Sequence, residues 1–145
     1  MTTAEHEAAH LTACLLLGVP VLAVDTVGDS RYAGWVTHGV AYDTAEGAVK
    51  HAVVLLAPYV LDGDEPRFPP DLAECKDLYD LARLVNRWGW GRQKWDDLLA
   101  KTLRFVSSDE FWSTYSQVLG VLDHYPRLDD RLLDALERSL ASGRG

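Results

Sequence analysis

Cysteine is scarce in this chain, and its scarcity excludes a fold held together by disulfides. Two cysteines, Cys14 and Cys75, occur among 145 residues, which is too few for a disulfide framework, and they do not form a CxxC motif. Basic residues are also in the minority, since 14 Lys and Arg stand against 22 Asp and Glu and give a net charge of −8. Because binding to phosphates needs a basic face, nucleic acid is excluded as the main partner. The two thiols fit a reducing, cytoplasmic setting.

Long apolar runs are missing as well. The longest run near the N-terminus, residues 11–24, is interrupted by Thr12, Gly18 and Pro20, whereas a membrane-spanning helix needs about 20 apolar residues. The run follows an acidic, His-bearing stretch, whereas a signal peptide begins with Lys or Arg. We therefore expect neither a membrane segment nor a signal peptide, and a cytoplasmic location.

The residues that are present predict a mainly α (α+β) fold with a small β-hairpin after the first helix. With 48% hydrophobic and 25% charged residues, the chain is long enough for one domain over residues 1–145 with a real core, and residues 141–145 are expected to be a flexible tail. Pro58 either kinks the second helix or ends its regular part at Ala57. The predicted elements are a helix from Thr2 or Thr3 to Leu17, strands over 21–27 and 33–37, helices over 44–61 and 71–88, a segment over 94–106, and helices over 107–122 and from 128 onward.

The most informative feature of the sequence is the stretch His6-Glu7-Ala8-Ala9-His10, an H-E-x-x-H pattern. On a helix, positions i and i+4 lie one turn apart on the same face, so that His6 and His10 can reach one metal ion. Glu7 can then take a proton from a water molecule at the open side of the metal. Two solvated histidines on an amphipathic helix are the alternative. The apolar flank, Leu11 to Leu17, argues against it, because polar residues on a buried helix need partners.

The segments around this motif resemble the peptidase domain of the FtsH-type zinc metalloproteases. Residues 4–39 read AEHEAAHLTACLLLGVPVLAVDTVGDSRYAGWVTHG, and in the family a similar HEAGH-like helix leads through a strand to a short Gly-aromatic edge strand. AVKHAVVLLAPYVLDG, from residue 48, is similar to the family's second helix, and CKDLYDLARLV, to residue 85, is similar to its third. The resemblance covers roughly residues 4–85 and implies a zincin-like helical domain with Zn²⁺ as its cofactor.

The resemblance also implies a third metal ligand, since a catalytic zinc has three protein ligands and a water. It places that ligand at Asp77, in an Asp-Leu-x-x-Ala-like setting. Asp80 and His51 stay open as alternatives, and an ordinary solvated helix residue is the other explanation of Asp77. Asp71 is more simply explained as a helix cap. Asp62 stands where the family's second helix carries an acidic residue, and could orient a histidine.

The chain departs from the family in several respects. The sequence shows no Walker A loop, and we expect neither an ATPase module nor a transmembrane helix, so ATP-driven unfolding of membrane substrates is not implied. Ala9 stands where the family usually has Gly, and Pro58-Tyr59 replaces a Gly-Arg pair. We therefore expect a free-standing, ATP-independent relative of the peptidase domain.

The expected activity is hydrolysis of peptide bonds in unfolded or extended polypeptides. Glu7 is the expected catalytic base, and the substrate is expected to lie along the strand at Gly34, Trp35 and Val36 through main-chain hydrogen bonds. An ordinary hairpin with a packed tryptophan is the alternative for this strand. The alternative function is a non-catalytic zinc-containing, or metal-free, helical module that contacts proteins through the tryptophan-rich residues 88–92. A homo-oligomer stays open.

Overall fold

A computed structural model describes residues 1–27, 35–38, 43–71 and 75–144. Within these ranges the chain forms six α-helices and three short strands, which confirms the predicted mainly α fold with a small antiparallel β-element. None of these helices combines the length and the apolar character needed to cross a membrane. In chain order the elements are α1 (Thr3–Leu17), β1 (Val21–Asp25), β2 (Trp35–His38), α2 (Ala45–Leu61), α3 (Lys76–Trp88), α4 (Arg92–Val106), α5 (Asp109–His124), β3 (Arg127–Leu128) and α6 (Asp130–Arg144).

The chain divides into two compact units. The first unit consists of Met1–Gly39 and Asp109–Gly145, and the second unit is Val40–Ser108. The first unit therefore contains α1, the sheet, α5 and α6, and the second unit contains α2, α3 and α4. A single domain over residues 1–145 stays a prediction.

Helix α1 begins and ends at residues whose local chemistry favours a helix terminus. The hydroxyl of Thr2 accepts a hydrogen bond from the backbone N–H of Glu5 at 3.1 Å, and the Glu5 carboxylate accepts one from the N–H of Thr2 at 2.9 Å. This capping box satisfies two donors that the first helical turn leaves open. The hydrogen bond from the Thr2 backbone to the Glu5 carboxylate, and then one with the Thr2 side chain, lower the pKa of Glu5 below its ordinary value. At the other end Gly18 adopts the left-handed conformation with φ 70°, which an L side chain rarely adopts.

The three strands form one antiparallel sheet in the order β2-β1-β3. Strand β1 ends at Asp25, two residues before the predicted end, because the Asp25 carboxylate accepts a hydrogen bond from the N–H of Val27 at 2.8 Å and turns the backbone. Its other oxygen accepts a hydrogen bond from Arg127 Nε at 2.8 Å, so the ion pair joins β1 to β3. The predicted second strand begins at residue 33, which lies outside the described residues, and β2 ends at His38.

The core of the first unit lies between α1, α5, α6 and the sheet. Helix α1 packs against α5 and against both β1 and β2. Ala8, Ala9, Leu11 and Ala13 have no exposed surface, so the backbone of α1 lies close to its neighbours. Other large side chains buried in this unit are Val24, Phe111, Val118, Leu122, Leu128, Leu133 and Leu136.

The second unit packs α2 against α3 and α4. Helix α2 begins after Thr44, as predicted, and the Thr44 hydroxyl accepts a hydrogen bond from the N–H of Gly47 at 3.0 Å. The helix continues through Pro58 to Leu61, so of the two alternatives for Pro58 an end at Ala57 is wrong. Buried side chains that form the core include Ala48, Ala52, Leu55, Leu56, Leu81, Trp95 and Leu98.

Helix α3 begins later than the sequence predicts, and α6 ends later. Cys75 is extended, with φ −145° and ψ 172°, so the first helical residue is Lys76 and Asp71 is not the cap. Helix α6 runs to Arg144 and includes most of the expected tail. Leu140 is buried there, which anchors the last turns of the helix.

The tryptophan-rich residues pack against the core of the second unit. Trp88 and Trp90 are partly buried against it. Trp95 is buried, and its Nε1 donates a hydrogen bond to the carbonyl of Pro66 at 3.2 Å. These contacts favour core packing over a patch that contacts other proteins.

Candidate metal centre

The side chains of His6, Glu7 and His10 meet at one face of α1. One potential ligand atom from each residue lies within 4.8 Å of the others. Nε2 of His6 and Nε2 of His10 are 3.1 Å apart. The ring centroids are 4.8 Å apart, and the ring planes are inclined by 79°. Within the described ranges, this is the one group of three acidic, histidine or cysteine side chains that could hold a metal ion.

Burial distinguishes this group from histidines on a solvated helix. Glu7 is 4% exposed and His10 is 5% exposed, and His6 is partly buried. The neighbouring Ala8 and Ala9 have no exposed surface, because α1 packs against α5 and the sheet. A carboxylate and an imidazole are costly to remove from water unless they bind a polar or charged group. The alternative of two solvated histidines therefore does not fit the environment of His10.

The donor set fits a zinc ion. Zinc–nitrogen bonds of about 2.0–2.1 Å in tetrahedral geometry place two nitrogen ligands about 3.3 Å apart. The observed separation of 3.1 Å between the Nε2 atoms of His6 and His10 is within a few tenths of an ångström of that value. The same separation suits a hydrogen bond between two neutral imidazoles, in which one ring donates and the other accepts. The spacing of the two nitrogen atoms therefore suits either a hydrogen-bonded pair or a pair of metal ligands.

Asp77, the predicted third ligand, lies in the first turn of α3 in the second unit. Its carboxylate accepts a hydrogen bond from the hydroxyl of Tyr59 at 3.3 Å, and that hydroxyl also lies 2.9 Å from Sγ of Cys75. Burial, together with the negative charge of Asp77, raises the pKa of Tyr59 well above its ordinary value. Tyr59 therefore keeps its proton near neutral pH, and it gives Asp77 a hydrogen-bond partner within its own unit. The assignment of Asp77 as a zinc ligand stays a prediction.

Of the other candidates, Asp80 and Asp62 have structural roles within the second unit. The Asp80 carboxylate lies 2.7 Å from the ammonium group of Lys76, one helical turn earlier. His51 is buried in α2. Asp62 is the C-terminal cap of α2, and its backbone N–H donates to the carbonyl of Pro58. The ion pair accounts for Asp80 without a metal.

The contact between Tyr59, Cys75 and Asp77 was not predicted from the sequence. Tyr59 is 16 residues from Cys75 and 18 residues from Asp77, and no motif spacing links them. In the sequence, Tyr59 stands out only as half of the pair that replaces the family's Gly-Arg. That departure from the pattern was the one available signal.

The predicted substrate strand lies at the edge of the sheet. Trp35 and Val36 belong to β2, where they pair with Asp25 and Val24 of β1. Because the sheet order is β2-β1-β3, one side of β2 has no strand beside it in the described part of the chain. Gly34 lies outside the described residues.

Cys14, one helical turn after His10, is fully buried in the first unit. Burial raises the pKa of its thiol to about 12, so that the thiolate is not formed near neutral pH. We therefore assign this cysteine to the core.

No protein-family model, no curated protein and no solved structure matches this chain. The resemblance to the FtsH-type peptidase domain thus depends on the sequence motifs alone. The geometry of His6, Glu7 and His10 is the remaining evidence for a function.

Proposed function

We propose that this chain is a zinc-dependent metallopeptidase that hydrolyses peptide bonds in unfolded or extended polypeptides without ATP. One observation carries the proposal. On α1, His6 and His10 hold their Nε2 atoms 3.1 Å apart beside the buried side chain of Glu7. A purely structural metal site has no use for an acid at that position, whereas a hydrolase needs a proton acceptor there.

The residues of the chain would divide the chemistry as follows. His6 and His10 hold the zinc ion, which when bound supplies a Lewis acid that polarises the scissile carbonyl and lowers the pKa of water. Glu7 takes a proton from the attacking water and delivers it to the leaving amine. Because Glu7 is 4% exposed, its carboxylate acts in a site with little competing solvent, where its interactions with charge are stronger.

The edge strand β2 supports a polypeptide as the substrate. An extended peptide can add to an open sheet edge through main-chain hydrogen bonds, and this mode accepts many sequences. A folded protein rarely offers such a free strand, so unfolded or extended segments suit this site best. Trp35 and Val36 are the residues of β2 that we expect beside the substrate.

The proposal is tested by zinc content and peptide hydrolysis in the same preparations. We expect about one zinc ion per wild-type chain, as for a mononuclear catalytic site, and loss of zinc in His10→Ala. Glu7→Gln should keep the zinc and lose activity by a factor of about 10² or more. His124→Ala is the matched control, since His124 is exposed at the end of α5 and should change neither quantity. A wild type without zinc after incubation with excess metal would contradict the proposal.

The identity of the third zinc ligand is tested by a separate set of variants. Asp77→Asn keeps an oxygen that can accept the hydrogen bond from Tyr59 but removes the charge. If Asp77 is the ligand, this variant loses zinc while its fold is retained. Asp80→Asn and His51→Ala test the two alternatives in the same way, and zinc loss in either one alone would move the assignment there.

A non-catalytic zinc-containing module, or a metal-free module, is the competing function. It predicts that the Glu7→Gln variant behaves like the wild type in every assay. The partly buried positions of Trp88 and Trp90 against the core weaken the interaction surface on which that function depends.

A further inference from the structure

A cavity in the second unit lies outside the candidate metal centre. Its volume is about 760 Å³, within the range of about 300–1,000 Å³ that is usual for ligand sites. Tyr59 of α2, Leu78 of α3 and residues of the connection between these helices line it. None of the predicted site residues accounts for this cavity.

In the connection between α2 and α3, contacts hold Asp64, Pro66 and Phe68 in place. The N–H of Asp64 donates to the carbonyl of Tyr59 at 2.9 Å. The carbonyl of Pro66 accepts a hydrogen bond from Trp95 at 3.2 Å, and the ring of Phe68 lies 5.9 Å from the ring of Trp95. Because Trp95 is buried in the core, these contacts fix the wall before any ligand binds. A preformed wall reduces the ordering cost of binding.

Among the charged residues that line the cavity, acidic ones are in the majority. The carboxylates of Asp64, Glu65 and Asp71 line it together with one guanidinium group, that of Arg67. Asp64 and Glu65 are exposed, and in the described ranges no cationic side chain forms an ion pair with either of them. The cavity therefore has negative charge available for a cationic ligand.

Aromatic rings complete the chemistry of the lining. Tyr59 and Phe68 are partly buried and line the same cavity as the carboxylates. Aromatic faces attract guanidinium and ammonium groups, and they also pack against the apolar stems that carry these groups. Carboxylates beside aromatic rings suit the side chains of arginine and lysine better than a neutral or anionic ligand.

We propose that this cavity binds an extended polypeptide segment that carries arginine or lysine. The preference for a cation comes from the cavity itself, whereas the role of the segment as a substrate rests on the proposed peptidase function. Tyr59 lines the cavity, and within the second unit its hydroxyl also donates to Asp77, the predicted third ligand. The peptidase would then prefer substrates with a basic residue.

Binding is measured on the full chain carrying Glu7→Gln, so that the peptide stays intact. A dye-labelled flexible peptide with three arginines is compared by fluorescence anisotropy with the same peptide carrying glutamines. We expect the arginine peptide to bind about tenfold more tightly, as two or three partly exposed ion pairs would give. The double substitution Asp64→Asn and Glu65→Gln should weaken its binding about five- to tenfold.

The matched control is the double substitution Asp134→Asn and Glu137→Gln, on exposed positions of α6 in the first unit. It changes the net charge by the same amount and should leave the affinity within about twofold, because distant surface charges are screened. Equal losses in the two double variants would show attraction by net charge alone and would overturn the proposal. Equal affinity for the glutamine peptide would overturn it as well.

Three further outcomes test the identity of the ligand and the peptidase function separately. Free arginine amide that competes as strongly as the whole peptide would identify a small cation as the occupant and overturn the polypeptide. A wild type that hydrolyses nothing, while Glu7→Gln binds the arginine peptide as expected, would refute the peptidase and leave the cavity assignment intact. A wild type that cleaves neutral and basic peptides alike, without cation-dependent binding, would refute the cavity assignment alone.

Discussion

Zinc should stabilise the folded chain, and the substitution His10→Ala should remove most of that stabilisation. The Nε2 atoms of His6 and His10 are already 3.1 Å apart, and two nitrogen ligands of a tetrahedral zinc are about 3.3 Å apart. The spacing of the two nitrogen atoms is therefore already within a few tenths of an ångström of that in a zinc site. The unfolded chain has no such preformed pair, so that metal binding favours the folded state.

The size of the effect follows from binding linkage. Free zinc at about 1,000 times its dissociation constant would raise the free energy of unfolding by about 4 kcal/mol. In a domain of this length about 1 kcal/mol corresponds to about 2–4 °C in Tm, so Tm should rise by about 8–16 °C. In His10→Ala one of the two imidazoles is gone, and the zinc-dependent rise should fall below about 4 °C. Without zinc, His10→Ala should cost about 1 kcal/mol, because the contact with His6 is lost.

The assay is thermal unfolding followed by circular dichroism, in chelator and in buffered free zinc. His124→Ala is again the control, since this exposed histidine should keep the full effect of zinc. The zinc-dependent rise should also shrink on acidification, because protons compete with the metal for the imidazole nitrogens. A wild type with no zinc-dependent rise, or an equal rise in His10→Ala, would refute the reasoning about this site.

Three further predictions concern the two cysteines, the cap of α1 and the ion pair on β1. Cys75 is exposed and should react with a thiol reagent in the native protein, whereas the Cys14 thiol, with its pKa raised to about 12, should react only after unfolding; two fast thiols in a native titration would contradict this. Thr2→Ala removes the hydroxyl that caps α1 and should lower the free energy of unfolding by about 1 kcal/mol in denaturant titrations. The pKa of Glu5 is lowered mainly by its hydrogen bond with the backbone of Thr2, which this substitution leaves in place, and the capping bond from the Glu5 N–H does not titrate, so the loss should depend little on pH; a loss that disappears in acid would count against the cap as its cause. Arg127→Gln breaks the ion pair on β1 and, since the guanidinium is 65% exposed, should cost only about 0.5–1 kcal/mol, with a smaller difference in 1 M salt; an unchanged denaturation midpoint would show that the ion pair contributes nothing.

Elements whose limits depend on local chemistry were predictable from the sequence. The helix predicted to end at Leu17 is bounded by the capping box at Thr2 and the left-handed Gly18, and the helix predicted over 44–61 begins after Thr44. These signals act over three or four residues, and the backbone groups they satisfy are their own neighbours. The limits of such helices therefore depend little on the rest of the fold.

Other limits depended on contacts between distant residues. Strand β1 ends at Asp25, whose carboxylate bonds both the nearby Val27 and Arg127, which is 102 residues away. Helix α3 begins after the extended Cys75, whose thiol lies beside the hydroxyl of Tyr59. Secondary-structure propensity and hydrophobic periodicity do not indicate which distant residues will be in contact.

The candidate metal centre, too, was only partly predictable from the sequence. The sequence by itself determined that His6 and His10 lie one turn apart on one helix face with Glu7 beside them, because the helical repeat requires it. Only the tertiary structure decided that Glu7 and His10 are withdrawn from water, since that depends on α5 and the sheet packing over α1. It also decided that Asp77 has a hydroxyl partner, because side chains far apart in sequence meet only when the helices that carry them pack together.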